Sequence, residues 1–599
     1  MPQGSTFTTR PQLAGTFGMV ASTHWLASAA GMAVLEKGGN AFDAAVAAGL
    51  VLQVVEPHLN GPGGEVPVIG YDAGDGTVFV LDGQGPAPAA ATPQAFGRLG
   101  LDLVPGSGLL AACVPAAFGT WLLLLAVHGL LRLREVMEYA IGYARDGYPV
   151  LPGISLGIAS VAGAFRDHWP TSAEVYLADG VPATGTRLAN PALAGTYQRI
   201  LAEAEAAGPD REAQIEAARR AFYTGFVAEA IGAYLARAEV MDVTGEPHRA
   251  LLAADDLARW QAAAEPPVTA GYAGLTVCKT GPWGQGPVFL QQLALLAGFD
   301  LAAMAPGGTD YIHTVVECAK LAFADREAWY GDPRQADVPL AALLSAEYAD
   351  QRRGLVGAQA SPDLRPGHPG GRRPRLPGYV TGVVPELAVT GGWTGEPVTG
   401  LSSTVHAADT CHLDVADRFG NVVTATPSGG WLQSSPVIPG LGFCLGTRAQ
   451  MFTLTPGLAN TLAPGKRPRT TLSPTLVLRG GEPYLAFGTP GGDQQDQWTL
   501  GFFLNHVQYG MNLQEAIDAP AFHTRHFPSS FHPRESFPLA VDVEERAGQE
   551  VIAGLAARGH RVTVRPPWSL GRVSAVASAD GFLYAAANAR GMQGYAAGR

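Results

Sequence analysis

Residues 410–412 read Thr-Cys-His and open a run, Thr410 to Asp417, that alternates in the manner of a β-strand. A threonine hydroxyl is a weak nucleophile and needs a base beside it; at the head of a chain its own α-amine supplies that base. By residue type alone the plainer reading is a threonine at the start of a strand, where threonine is common. Gly488-Thr-Pro-Gly-Gly492 reads as a tight turn that lets another group approach the backbone closely. Gly153-Ile-Ser-Leu-Gly157 matches the spacing of a serine-hydrolase nucleophile elbow, which needs a strand entering and a helix leaving. Pro149-Val-Leu-Pro152 offers no such strand, so Ser155 is set aside. His412 lies in phase with Thr410 and reads as a supporting residue, and His523 and His526 read as structural. No P-loop, H-E-x-x-H or calcium loop is present, and no cofactor or catalytic metal is implied.

The elements that must position these residues are mixed α/β. Apolar spacing predicts a helix over residues 25–37, stopped by Gly38-Gly39, and a second over residues 41–55 capped by Asn40. Further helical patterns cover residues 108–145, 195–240 and 309–328, with short β-type runs at 66–71 and 78–81. From 354 to 401 the composition shifts to Gly, Pro and Arg with little periodicity, a long loop of the kind that is usually functional or disordered. After it, residues 410–417, a turn at Arg418-Phe-Gly-Asn421 and residues 422–426 form a hairpin.

Length and composition set the class. At 599 residues the chain exceeds the roughly 250–300 residues over which one core grows. Hydrophobic residues make up 47% and charged ones 15%, with a net charge of −12, which disfavours disorder and phosphate-backbone binding. Nucleic-acid partners are therefore not expected. The five cysteines are scattered and form no C-x-x-C pair, so neither a disulfide framework nor a zinc site is indicated. The first ten residues lack a basic start and apolar stretch, and no apolar run reaches the ~18 residues of a membrane span. A cytoplasmic protein without membrane partners is the expectation.

Four separated stretches resemble the gamma-glutamyltransferase family of N-terminal-nucleophile hydrolases. They are Gly18–Ser22 with Gly38-Gly-Asn-Ala-Phe-Asp-Ala-Ala-Val46 and Val55-Glu-Pro57; Leu321-Ala-Phe-Ala-Asp-Arg326 with Gly331-Asp-Pro333; Asp409-Thr-Cys-His412 with Asp417-Arg-Phe-Gly-Asn421; and Pro464 through Thr475 with Gly488–Gly492. The resemblance implies a four-layer αββα sandwich assembled from two fragments of one chain, residues 1–409 and 410–599. It implies self-cleavage between Asp409 and Thr410, through attack of the hydroxyl on the preceding carbonyl. Thr410 is then the nucleophile, Gly491 and Gly492 supply backbone N–H groups to the oxyanion, and Ser428 stands where a family threonine bonds the nucleophile's amine.

The pattern departs in the pocket. Gln84 replaces the arginine that would clamp a glutamyl carboxylate, and Met451 replaces the aspartate that would hold the amine. Thr470 and Thr471 replace a pair of serines and keep the hydroxyls. Arg448 is a new charge with two readings, a carboxylate ligand in another orientation or half of a structural ion pair. Gly61-Pro-Gly-Gly-Glu65 also departs, since small residues usually follow there. Losing two charge-assisted contacts, each worth about 1.5–3 kcal/mol, argues against glutathione as substrate. The resemblance then points to a small-molecule amide, acyl or C–C bond, as in acylases, oxamate amidohydrolases or natural-product pathways to alkylproline units. A true gamma-glutamyltransferase and a non-catalytic binding relative are the alternatives.

Overall fold

A computed structural model describes residues 7–380 and 410–599. Asp409 and the second half of the 354–401 loop lie outside the described residues. The predicted helices form as Trp25–Glu36 and Ala41–Val55, the latter closed by a capping box in which Asn40 and Asp43 each bond the other's backbone N–H. The 108–145 pattern resolves into two helices, Ala117–His128 and Leu133–Asp146, and 195–240 into three. Thr309–Trp329 is a single helix.

Two seven-stranded sheets form the centre. The first runs Tyr595–Gly598, Gly18–Ser22, Leu413–Asp417, Val422–Ala425, Val68–Asp72, Thr77–Leu81, Ala264–Glu265, with every neighbouring pair antiparallel. The second runs Leu13–Gly15, Phe582–Ala587, Ser574–Ala579, Glu482–Gly488, Thr475–Arg479, Leu275–Lys279, Val268–Tyr272, again antiparallel throughout. Both sheets draw strands from before and from after the 381–409 segment, so neither part of the chain could complete a sheet alone.

Period-two alternation decides which layer each side chain enters. Leu413 and Val415 point at a core shared with the helices Trp25–Glu36, Ala41–Val55 and Ala117–His128. Ala416 faces the other sheet, where Met19, Ile69, Leu476, Ala486 and Val576 fill the gap. Val477, Leu485 and Phe487 point outward to Gly286–Leu296, Thr309–Trp329 and Gln495–Val507. The result is the four-layer αββα sandwich. All five cysteines are buried and unpaired with one another. Among the described residues no helix is long and apolar enough to cross a membrane.

Candidate active site

Thr410 sits just before the central strand Leu413–Asp417, buried, with its Oγ 3.1 Å from Ser428 Oγ. The hairpin partner brings Ser428 there: Cys411 N donates to Pro427 O at 2.9 Å, closing the open end of the ladder. The partner that the family pattern assigns to Ser428 is an amine; in the intact chain it is the hydroxyl of Thr410.

Ser428 also accepts from Arg448 Nη2 at 2.8 Å. Arg448 Nε donates to Glu65 Oε1 at 2.5 Å, and Nη2 makes a second contact with the same carboxylate. Nη1 donates to Met451 Sδ at 3.7 Å. Trp431 and Phe531 cover the guanidinium, their ring centres 5.3 and 5.8 Å from its carbon, and pack with Met451. The structure thus pairs Arg448 with an acidic neighbour, Glu65. Glu65 also answers the departure at residues 61–65. Its backbone pairs reciprocally with Ser428 at 2.9 Å in both directions, while a Cβ on Gly64 would stand 2.1 Å from Ser428 O. Burial pushes the Glu65 carboxyl upward and Arg448 pulls it back.

The thiol beside Thr410 is not a rival nucleophile. Cys411 Sγ donates to Glu56 Oε2 at 2.9 Å, and burial together with this carboxylate pushes the thiol well up. Glu56 also accepts from Thr23 Oγ at 2.7 Å and from Gln593 Nε2, so one buried carboxylate ties the residue after Thr410 to both ends of the chain. His412 has both ring nitrogens occupied, by Thr426 Oγ and Asp414 Oδ1, each at 2.9 Å, which leaves it a supporting role. His523 lies against Asp542, and His526 bonds Asp363 O and Leu539 N.

Gly491 and Gly492 join the end of strand Glu482–Gly488 to helix Gln495–Val507 with φ of 132° and 52°. A Cβ on Gly491 would lie 2.3 Å from the Trp498 ring, so glycine is required sterically as well as conformationally. The turn is tied down by residues that sequence reasoning did not single out. Gln285 Nε2 donates to Gly492 O at 3.3 Å, and Arg326 donates to Gln285 Oε1 at 2.8 Å and to Asp493 Oδ1. Glu327 pairs with both Arg326 and Arg469. Arg467 similarly joins Asp332 at 2.8 Å to Asp82 at 3.3 Å. The family-like stretches containing Arg326, Asp332 and Arg467–Arg469 are thus two buried ion-pair networks behind the candidate site.

Not every predicted pocket residue enters the Thr410 chain of bonds. Gln84 is buried, donates to Gly85 O at 3.1 Å and leaves its Oε1 unpartnered. Thr470 is held by Trp283 O at 2.9 Å, one residue from the Gly284–Gln285 segment that reaches Gly492, and Thr471 Oγ is buried without a partner. Ser155 lies one turn inside helix Pro152–Asp167, its N–H bonded to Leu151 O at 3.1 Å, and not at the turn between the two-residue strand Tyr148–Pro149 and that helix.

The chain matches the gamma-glutamyltranspeptidase family model over residues 27–598. It is 33% identical to the acylase ACY 1 proenzyme of Pseudomonas sp. (strain SE83), over 98% of this chain and 95% of that protein. Among solved structures it is similar to LmbA2991HD, at 56% identity and TM-score 0.92, covering 99% of this chain and 100% of that one. It is also similar to the cephalosporin acylase of Bacillus halodurans, at 27% identity and TM-score 0.81, covering 100% and 98%. The chain is an enzyme of the N-terminal-nucleophile hydrolase and acyltransferase type, and it belongs to the gamma-glutamyltranspeptidase family.

Proposed function

We propose that the chain cleaves itself between Asp409 and Thr410 and that Thr410 then acts as the nucleophile of an acyl-enzyme mechanism on an amide or acyl donor other than glutathione. The fragments 1–409 and 410–599 stay together because each contributes strands to both sheets. The freed α-amine takes the proton of Thr410 Oγ as that oxygen attacks the acyl carbon. The N–H groups of Gly491 and Gly492 stabilise the oxyanion, and water releases the acyl group.

The observation that carries the substrate reading is the Glu65–Arg448 pair. The pocket's new cation is already matched by a buried carboxylate, and Met451 beside it offers no charge for an amine. A free γ-glutamyl group would bring a carboxylate to an arginine that is already paired and an ammonium to an uncharged thioether, which is costly. The named acylases among the relatives support the same direction.

On a denaturing gel the wild type is expected as two fragments and Thr410→Ala as one. Turnover is then compared on a γ-glutamyl anilide, an oxamate-type amide, an acyl-lactam and a 2-oxo acid cleaved at a C–C bond. Fast turnover of the γ-glutamyl anilide would overturn the substrate reading. An intact wild-type chain after long incubation would overturn the nucleophile.

A further inference from the structure

Ser428 Oγ has two side-chain partners, Arg448 Nη2 at 2.8 Å and Thr410 Oγ at 3.1 Å. A guanidinium has donors and no acceptor, so Ser428 must be the acceptor in the first contact. The serine proton then has Thr410 Oγ as the acceptor in reach. A hydroxyl that accepts from a cation is also polarised into a stronger donor toward the next group.

Arg448 has little freedom to do otherwise. Its Nε and Nη2 are both taken by Glu65, Trp431 and Phe531 cover it, and the side chain is 2% exposed. Glu65 is in turn fastened to Ser428 through the reciprocal backbone pair, so the three residues form a closed ring around one hydroxyl. The orientation of Ser428 matters because a threonine hydroxyl that donated to Ser428 would point its proton away from its base.

We propose that Glu65 and Arg448 are positioning residues that hold the Ser428 proton on Thr410 Oγ, leaving the proton of Thr410 itself for the base. This rests on the reading of Thr410 as nucleophile. During acylation the Oγ–H bond breaks, its proton passes to the α-amine, Oγ bonds to the acyl carbon, and the carbonyl electron pair moves to oxygen. Ser428 keeps its own proton and donates to Oγ as negative charge builds there. When the tetrahedral intermediate collapses, the leaving group departs with the proton from the amine. Because Glu65 balances Arg448, the ring supplies an oriented dipole rather than a net cation.

The probe is p-nitrophenyl acetate, followed by p-nitrophenolate release and by intact mass of the 410–599 fragment. Compared are the wild type, the double variant Glu65→Gln/Arg448→Met, Ser428→Ala, and the triple variant. Removing both ends of a buried pair avoids stranding a charge, so the double variant is the one expected to fold. It should be acetylated about 10- to 100-fold more slowly, as expected for loss of one charge-assisted bond. Its pH–rate profile should move upward by about one unit, the shift that corresponds to a tenfold change. In the Ser428→Ala background the same pair of changes should cost almost nothing further.

A wild-type rate and profile in the double variant would overturn the proposal, and so would losses that simply add in the triple variant. Arg448→Lys gives an independent arm, since one ammonium lacks the fork that joins Glu65 to Ser428; several-fold slower acetylation supports the ring, and an unchanged rate overturns it. If the wild type is cleaved but takes no acetyl on Thr410, the nucleophile reading itself falls and takes this one with it. Acetylated wild type with unaffected variants would sink the positioning role alone.

Discussion

Arg448 and Glu65, 383 positions apart in the chain, form a buried ion pair whose side chains are 2% and 4% exposed. Each stands at a place where the sequence departs from its family, and the two departures compensate one another. Removing one partner leaves a charge in a dry site, so Glu65→Ala or Arg448→Ala should cost about 3–5 kcal/mol of stability. Glu65→Gln/Arg448→Met should cost clearly less than either. Denaturant titration checks this, and equal losses in all three would refute the coupling.

Gly491→Ala should slow acylation sharply while leaving most of the fold in place. The new methyl meets the Trp498 ring and the φ of 132° disfavours any side chain, so the N–H groups at the turn must shift. A loss of about 10²–10³-fold in the p-nitrophenyl acetate reaction is expected, comparable to losing one oxyanion donor. Self-cleavage should be followed in parallel on gels.

Arg326→Met takes the guanidinium from buried Asp493, leaves Glu327 with Arg469 alone, and unties the turn that carries Gly492. A stability loss of about 3–5 kcal/mol is expected. Asp493→Asn in the same background should recover part of it, and a thermal-melting cycle over the four proteins measures the coupling.

Acid should destabilise the protein through its buried histidines. Burial lowers His24 and His58 to about 3, against an ordinary value of 6.5. Between those limits the unfolded chain binds more protons than the folded one, so stability rises with pH across the window and is lost as pH falls from 6.5 toward 3. At pH 5 each residue should account for about 2 kcal/mol of loss relative to neutral pH. His24 caps helix Trp25–Glu36 by accepting from Leu26 N, so protonation there also removes the cap. His24→Asn retains a capping acceptor and should shrink the difference between unfolding midpoints at pH 7.5 and pH 5.

Met451→Asp alone should not create γ-glutamyl transfer. Met451 Sδ lies 3.7 Å from Arg448 Nη1, so a carboxylate introduced there would be drawn to that guanidinium rather than left for a substrate ammonium. Turnover of γ-glutamyl anilide at wild-type background is the expected outcome, and a large gain would show that the aspartate remains available.

Much of this architecture was legible in the residues themselves. The Asn40 cap, the paired helices on either side of it and the hairpin around Arg418–Asn421 follow from local spacing, because capping and alternation involve residues a few positions apart. The two central sheets were not legible: Gly18–Ser22 pairs with Leu413–Asp417 across about two-thirds of the chain, and such pairing leaves no local signal. Glu56 and Arg326 lay inside family-like stretches, yet their tasks depend on partners such as Cys411 and Asp493 that are remote in sequence.

The same division runs through the site. The family resemblance carried by four stretches of the sequence was what singled out Thr410, Ser428 and Gly491-Gly492 and marked Gln84, Arg448 and Met451 as departures from a glutamyl pocket. Only the tertiary structure decided what Arg448 does, because a guanidinium is defined by whichever carboxylate folding brings against it. That carboxylate is Glu65, held in place by its own backbone pairing with Ser428. Sequence therefore determined which groups are present, and long-range packing determined which of them share a charge, a proton and a direction.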